Sequence, residues 1–388
     1  MRYLITASIL LLCCIPRLLA QPCLPDGIIF TTQSQIDSFP ILYPNCDTIE
    51  GFVIVDGQDI NNLYGLNSIV VVVEGLRIGS YSSLTNPTLY DLNGLNNLYY
   101  VGGWLSIVGN QILNSLDGLE NLNTIGEDCE LKENPSLTSI EGLINLFEVD
   151  YILVITNNDS LVDLNGLNNL SAAGGIAIYY NDMLVNIQGL ESLTSIEYHI
   201  MIFSNNSLIN LSGLESLTSI GDELMIEDNI ALESLTGIDN LLAETIDCLI
   251  IKDNPSLSVC DVQSVCDYIA NSQGSLWIYD NNTGCNSVGE VEEACTVGIP
   301  ESSTELQLST YPNPFTTSTT IEYELKEISN IQFTICNVIG EVVYQAEDRV
   351  MRQGSHKVTW SPGHLPEGLY YAVLRSEEGV SVVKMVKQ

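Results

Sequence analysis

Between residues 52 and 282 the chain repeats itself every 24 residues, and this period restricts its fold more than any other feature. A Gly followed by Leu or Ile recurs at Gly65, Gly94, Gly118, Gly142, Gly166, Gly189, Gly213 and Gly237, in steps of 29, 24, 24, 24, 23, 24 and 24. Aligned copies give L-x-I-x-x-N-x-x-L-x-x-L-x-G-L-x-x-L-x-x-I, best seen at Leu105, Ile107, Asn110, Leu113, Leu116, Gly118, Leu119, Leu122 and Ile125. L-x-I alternates with period two and predicts a short strand with two inward side chains. The later apolar residues step by three, as at the corners of a coil. Val, Ile, Tyr and Gly are too frequent, and Ala, Lys and Glu too rare, for a helix on the far side. Each copy exposes an apolar face that only its neighbours can cover, so the copies should stack. The expected fold is all-β: a right-handed parallel β-helix or solenoid of about ten coils at ~4.8 Å each. Short capping helices close it, and a small antiparallel β-sandwich follows.

One polar position recurs inside this apolar pattern. Asn86, Asn110, Asn134, Asn158, Asn181, Asn205, Asn229, Asn254 and Asn281 fall in one column. A buried Asn above identical residues can pass amide hydrogen bonds from copy to copy, so the column reads as a structural ladder rather than a binding site.

L-x-I-x-x-N resembles ordinary leucine-rich repeats, but the next Leu comes three residues after the Asn (Leu113, Leu137, Leu161, Leu184) rather than two. The 24-residue step, Asn-Pro-Ser-Leu at 134–137 and 254–257, and a cysteine-rich close resemble the receptor L-domain family. The nearest likeness is to bacterial secreted proteins opening with Phe30-Thr-Thr-Gln-Ser-Gln-Ile-Asp37, over roughly residues 23–296. That resemblance implies a ligand-binding β-helix whose sheet face meets its ligand.

Residues 1–20 read as a signal peptide: Arg2, an apolar run too short to span a bilayer, and Ala20 at the cleavage point. No other stretch is apolar enough for a transmembrane segment. Cys23 and Cys46 stand together at the front, and Cys260, Cys266, Cys285 and Cys295 cluster at the back. In an oxidising compartment these are disulfide candidates. The rear four allow three pairings, of which 260–285 and 266–295 link equivalent points of successive units. Cys129, Cys248 and Cys336 are left over and read as buried thiols. Residues 21–50, with Gln33, Ile36 and Phe39, form the expected N-terminal cap, residues 51–282 the repeats and residues 283–296 the C-terminal cap. Ser258-Val-Cys-Asp261 and Ser287-Val-Gly-Glu290 read as capping boxes that open short helices. Residues 297–305 read as a linker.

From residue 306 the pattern changes to short alternating strands, expected at Thr320–Leu325, Ile331–Asn337, Glu341–Ala346, His356–Trp360, Leu369–Arg375 and Val380–Val386. Four landmarks occur in order: Tyr311-Pro312-Asn313-Pro314-Phe315, Gly340, Gly368-Leu-Tyr370-Tyr, and Lys384 near the end. They resemble the type A sorting domain, the C-terminal signal of the type IX secretion system. The resemblance implies that residues 306–388 engage that machinery. It also implies delivery through the periplasm to the surface of a Gram-negative bacterium, or release.

Charge narrows the partners. The formal net charge is −37, and residues 21–305 carry 40 acids against three bases, Arg77, Lys132 and Lys252. So negative a surface repels phosphate backbones, which excludes nucleic acid. Three histidines, no G-x-S-x-G and no C-x-x-C leave little basis for catalysis or a metal centre. His199 reads as a surface residue. Lys132 and Lys252 share a column five copies apart, too far to form one site. Acid-rich loop edges at 227–229 and 280–282 suggest weak Ca²⁺ binding at most, and no cofactor is expected.

The outward positions of the strands carry the functional expectation. One outward column reads Ser106, Glu130, Val154, Ala177, Met201, Met225, Ile250, Trp277; the next reads Val108, Lys132, Thr156, Tyr179, Phe203, Glu227, Lys252, Tyr279. From Val154 onward this is an apolar and aromatic stripe framed by acids, with Val154, Tyr179, Met201, Phe203, Met225, Ile250, Trp277 and Tyr279 as candidate ligand-binding residues. A secreted or surface-displayed recognition or adhesion protein for a protein or glycan is the expectation. A polysaccharide-degrading β-helix enzyme needs a cleft with converging carboxylates, and a structural surface coat needs regular self-association.

Overall fold

The computed structural model describes residues 21–81, 86–271, 274–298, 308–325, 329–337, 342–346, 349–376 and 379–388. The signal-peptide segment, Gly340 and most of the linker lie outside them. Two units, 1–295 and 296–388, divide the chain.

In the first unit every L-x-I becomes a strand whose Leu and Ile point inward. Leu105, Ile107, Leu131, Leu153, Ile155, Ile202 and Ile226 are fully buried. Neighbouring copies pair in parallel at the repeat distance: Cys129–Lys132 lies between Leu105–Val108 and Glu148–Thr156, with Leu131 opposite Ile107 and Ile155. Two-residue strands such as Thr124–Ile125 form a second parallel series, and eighteen strands join into one sheet. Glu148–Thr156 and Ala172–Tyr179 run unbroken through both series.

The step-of-three segments turn corners by single 3-10 turns at Tyr64–Leu66, Glu141–Leu143 and Gln188–Leu190 and by turns with a left-handed glycine in the other copies, and their Leu residues fill the interior. Glycine is required there by proximity. A Cβ on Gly142 would lie 2.0 Å from the Leu116 carbonyl oxygen one copy earlier, although its backbone is not left-handed. Gly118 meets the same obstacle 2.1 Å from the Leu92 oxygen and also has φ +113°.

The Asn column lies just behind each strand, and its members from Asn86 to Asn254 are fully buried. Asn158 shows the pattern. Its Oδ1 accepts from the backbone N and the Nδ2 of Asn134, both at 3.3 Å. Its Nδ2 donates to Leu131 O (2.9 Å), Thr156 O (3.1 Å) and Asn181 Oδ1 (3.4 Å). Side-chain bonds of this kind run from Asn86 through Asn110, Asn134, Asn158, Asn181, Asn205, Asn229 and Asn254 to Asn281. At the far end Asn281 Nδ2 donates to Cys285 O at 3.0 Å. The residue before each of these asparagines, from Gly109 through Glu133 and Tyr180 to Asp280, has φ between +53° and +71°. This left-handed turn aims the amide inward, at a cost of ~1–2 kcal/mol for a non-glycine residue.

Residues 21–50 do more than cap. Gln21–Cys23, Ile28–Phe30 and Cys46–Ile49 already belong to the parallel sheet, so pairing begins ahead of residue 51. Helix α1 (Gln33–Leu42) rises from Thr32, which forms a capping box with Gln35, and buries Ile36 and Phe39. Gln33 Oε1 accepts from the backbone N of Asn61 and Asn62. Cys23–Cys46 bridges adjacent strands, and Cys260–Cys285 and Cys266–Cys295 bind the rear, where α2 (Gln263–Asn271) and α3 (Val288–Gly298) lie.

Local details differ from expectation. No hydrogen bond to a Ser258 cap opens α2, which starts at Gln263, two residues beyond the expected box, because Ser258 and Val259 are drawn into pairing with the preceding copy. Ser287 Oγ does accept from Glu290 N (3.3 Å), but the Glu290 carboxylate reaches Gly284 N and Asn286 N rather than Ser287 N. Helix α3 extends to Gly298, into the expected linker. Of the free cysteines Cys129 is buried, whereas Cys248 and Cys336 are partly exposed.

The second unit holds two antiparallel sheets. Ser309–Tyr311, Thr319–Leu325 and Gly354–Trp360 form one; Val342–Gln345, Ser329–Asn337, Gly368–Ser376 and Gly379–Lys387 form the other, with Arg349–Met351 paired to Ser329–Asn337. Ile321, Tyr323, Phe333, Ile335, Trp360, Leu374 and Met385 share one core between them. The six expected strands are present. Ser309–Tyr311 and Arg349–Met351 are additional, being too short for an alternating pattern.

Replacing Asn158 by Ala leaves the buried Asn134 backbone N without its acceptor and takes one donor each from Leu131 O and Thr156 O, while Asn134 Nδ2 keeps Ile107 O and Lys132 O. At ~1–3 kcal/mol per unpaired buried group, a urea titration should show a loss of about 2–4 kcal/mol. A loss below about 1 kcal/mol contradicts the ladder's role.

Candidate functional site

Strand register sets the outward columns side by side. Glu130, Val154, Ala177, Met201, Met225, Ile250 and Trp277 stand directly opposite one another, as do Lys132, Thr156, Tyr179, Phe203, Glu227, Lys252 and Tyr279. Trp277 is 54% exposed and Tyr279 39%; Val154, Tyr179, Met201, Phe203, Met225 and Ile250 are half-buried by their neighbours, and Ala177 is buried. The stripe is therefore a packed, partly wetted surface rather than a fully exposed one. Tyr179 and Phe203 stack in parallel with ring centroids 4.5 Å apart, and Tyr180 meets the Phe203 ring edge-on at 5.6 Å. Lys252 Nζ sits 5.9 Å from the Tyr279 ring centre and 2.7 Å from Glu227 Oε1.

The front of the same face is closed by polar contacts. Val108 is fully buried and Ser106 almost so. The Tyr81 hydroxyl, carried by the copy that is five residues longer, donates to Glu130, which also accepts from Lys132 Nζ at 2.6 Å and Ser106 Oγ at 3.2 Å. Burial alone would raise the Glu130 carboxyl, but bonds from Lys132, Tyr81 and Ser106 outweigh it and hold the carboxyl below its usual range. The Glu227 bond raises Lys252 to about 12.

A second feature lies at the amino ends of the strands. The copy ending at Asn181 is one residue short, so Gly174 and Gly175 stand where its neighbours have Asp150-Tyr-Ile152 and Glu197-Tyr-His199, and the pairing shifts between Val149 and Ile152. The shortfall leaves an open notch of about 460 Å³ lined by Glu148, Asp150, Ala172, Gly174, Ser195 and Glu197. Across the short copy Tyr151 and Tyr198 touch, ring centroids 5.3 Å apart. His199 is partly exposed beside Gly175. The 23-residue step was the sequence signal for this notch, and the 29-residue step for the Tyr81 contact.

Thiol chemistry has little support at this surface. Burial pushes the Cys129 thiol up to about 12, and burial beside Glu223 and Asp222 raises Cys248, both opposing a thiolate. Among the described residues no three His, Cys, Asp or Glu side chains are arranged to hold a metal ion, and no helix is long and apolar enough to cross a membrane.

In the second unit the landmark residues converge. Asn313 Nδ2 donates to Lys384 O (2.7 Å) while its Oδ1 accepts from Val386 N (2.9 Å), so one side chain fastens the opening motif to the final strand. Phe315 N and O bond to Val386 and Gln388. The buried Phe315 ring meets Trp360, which meets Tyr370, whose hydroxyl donates to Pro366 O. Thr319 holds the Pro312 carbonyl (2.7 Å), Pro314 continues the same segment, and Gly368 opens its strand at φ +148°. Tyr311 is 81% exposed.

Residues 309–388 match the secretion system C-terminal sorting domain. The protein is thus an exported one, delivered by the type IX secretion system to the cell surface or the extracellular space. No curated protein matches the chain.

Two outcomes follow. A folded-state carboxyl held low adds stability in full above its unfolded value of ~4.3, and this is lost as pH falls through the lowered value. Glu130→Gln should therefore lower the urea midpoint at pH 7, with the gap to wild type narrowing below about pH 4; a constant gap contradicts the assignment. Deleting residues 306–388 should leave the protein in the periplasm, and its appearance on the cell surface in fractionation contradicts the sorting role.

Proposed function

We propose that the first unit is a right-handed parallel β-helix related to the receptor L-domain family, and that its outer sheet face recognises a protein or glycan without catalysis. The supporting observation is the contrast along one face. The inward columns are uniformly apolar, as stacking demands. The outward columns change from polar and internally paired around Glu130 to mostly apolar and aromatic from Val154 to Tyr279, where Thr156 and the Glu227–Lys252 pair are the polar members. Stacking requires no large apolar side chain on the outer face, and outward positions left to solvent are expected to be polar. Rigid aromatics on a packed sheet suit binding, since little side-chain freedom is lost on contact. Display outside the cell gives such a face access to partners.

The acidic notch is the place a polysaccharide-cleaving alternative would use, because Glu148, Asp150 and Glu197 meet there. The recognition reading is favoured because the aromatic surface is broad and lies along the strands rather than inside the notch.

Protein and glycan arrays probed with the secreted chain supply the test. Met201→Asp with Phe203→Asp should abolish binding to whatever the wild type captures, while Glu148→Gln leaves it within about threefold. Unchanged capture by the double variant contradicts the proposal, and release of soluble sugar from a bound glycan favours the enzyme.

A further inference from the structure

We infer that the face from Val154 to Tyr279 docks an extended basic segment of a partner protein, its apolar side chains on the stripe and its lysines or arginines on the carboxylates alongside. The inference rests on the recognition reading and adds the chemistry of the ligand.

Charge decides between the candidate partners. From residue 154 to 279 the sequence holds one lysine or arginine, Lys252. It is already bound to Glu227 at 2.7 Å and Asp253 at 3.4 Å. No cation on this face is free to meet an acidic polysaccharide, a phosphate or an acidic protein. A second copy, equally negative, is repelled too. Carboxylates instead border the stripe on both sides. Asp150, Glu197 and Asp222 stand exposed at the amino ends of the strands, Asp228 and Asp280 at the carboxyl ends, and no ion pair reaches them among the described residues.

Shape agrees with charge. Val154 and Trp277 are five strand spacings apart, ~24 Å, the length of about seven residues of extended chain. A chain laid across the strands places alternate side chains, ~7 Å apart, down along the column from Val154 to Trp277, and its cationic side chains can reach either acidic border. The notch beside Asp150 and Glu197, with the Tyr151–Tyr198 pair at its edge, has room for an ammonium or guanidinium group. A neutral glycan could stack on Tyr179, Phe203 and Trp277 but would leave both acidic borders unused.

The test measures fluorescence anisotropy of labelled peptides on the full chain: one alternating lysine and leucine, one alternating lysine and serine, one alternating glutamate and leucine, with a neutral β-glucan oligosaccharide as competitor. The lysine–leucine peptide should bind one-to-one, about tenfold or more tighter than lysine–serine. Its affinity should fall between about 50 and 300 mM NaCl, and the glutamate peptide should not bind. Trp277→Ala, at a side chain 54% exposed and so without effect on the interior, should weaken it severalfold. Asp150→Asn with Glu197→Gln should weaken it and flatten the salt dependence. Equal affinity for the lysine–leucine and lysine–serine peptides overturns the inference, as does no binding of either. Binding of the glucan at the face without the peptide overturns it too, yet leaves the recognition reading standing; affinities for every probe that ignore the face variants overturn both.

Discussion

Successive copies of the repeat approach so closely that a carbonyl of one lies about 2 Å from where a Cβ of the next would stand. Everything else in the first unit follows from that approach. It fixes glycine at one corner, brings backbone groups into parallel pairing, and leaves room between copies for a single amide. The Asn column fills that room with every donor and acceptor engaged. A buried polar row is costly unless it is complete, and this one continues unbroken from Gly57 N, which donates to Asn86 Oδ1, to the carbonyl of Cys285. The disulfide Cys260–Cys285 therefore secures the segment on which the column ends.

The repeating part was legible because period and burial are the same information. Leu105, Ile107 and their equivalents had to face inward, and Asn at a fixed offset had to be satisfied by its own kind. The two-sheet unit was legible for a similar reason, since alternation at Ile331–Asn337 or Leu369–Arg375 leaves only one face to bury. What escaped were consequences of irregularity. The copy missing one residue opens the notch, and the copy with five extra residues sends Tyr81 onto Glu130; both steps were visible as numbers, but their effect depends on what neighbouring copies place beside them. The start of α2 was misjudged because Ser258 had a pairing partner that local sequence does not reveal, and α3 runs on into residues read as a linker. The stripe was legible as an outward column, but the cross-strand packing that half-buries its members from Val154 to Ile250 was not.

That packing gives the outer face its character. Side chains on a strand spacing of ~4.8 Å touch their neighbours above and below, so Tyr179 and Phe203 stack into a flat, stiff surface. The acid-rich flanks set like faces in mutual repulsion. In the second unit, Asn313 links the first motif to the last strand, so landmarks some 70 residues apart in sequence meet in one place.

Hydrogen exchange of the exported chain, read residue by residue, tests the stacked-copy account most directly. The backbone amides of Asn110, Asn134, Asn158, Asn181, Asn205 and Asn229 each donate to the side chain of the next asparagine. They should exchange together and slowly, at a rate set by opening of the whole column. Rapid or unrelated exchange among these six amides would show that the copies fold separately, and the continuous face built on them would be lost.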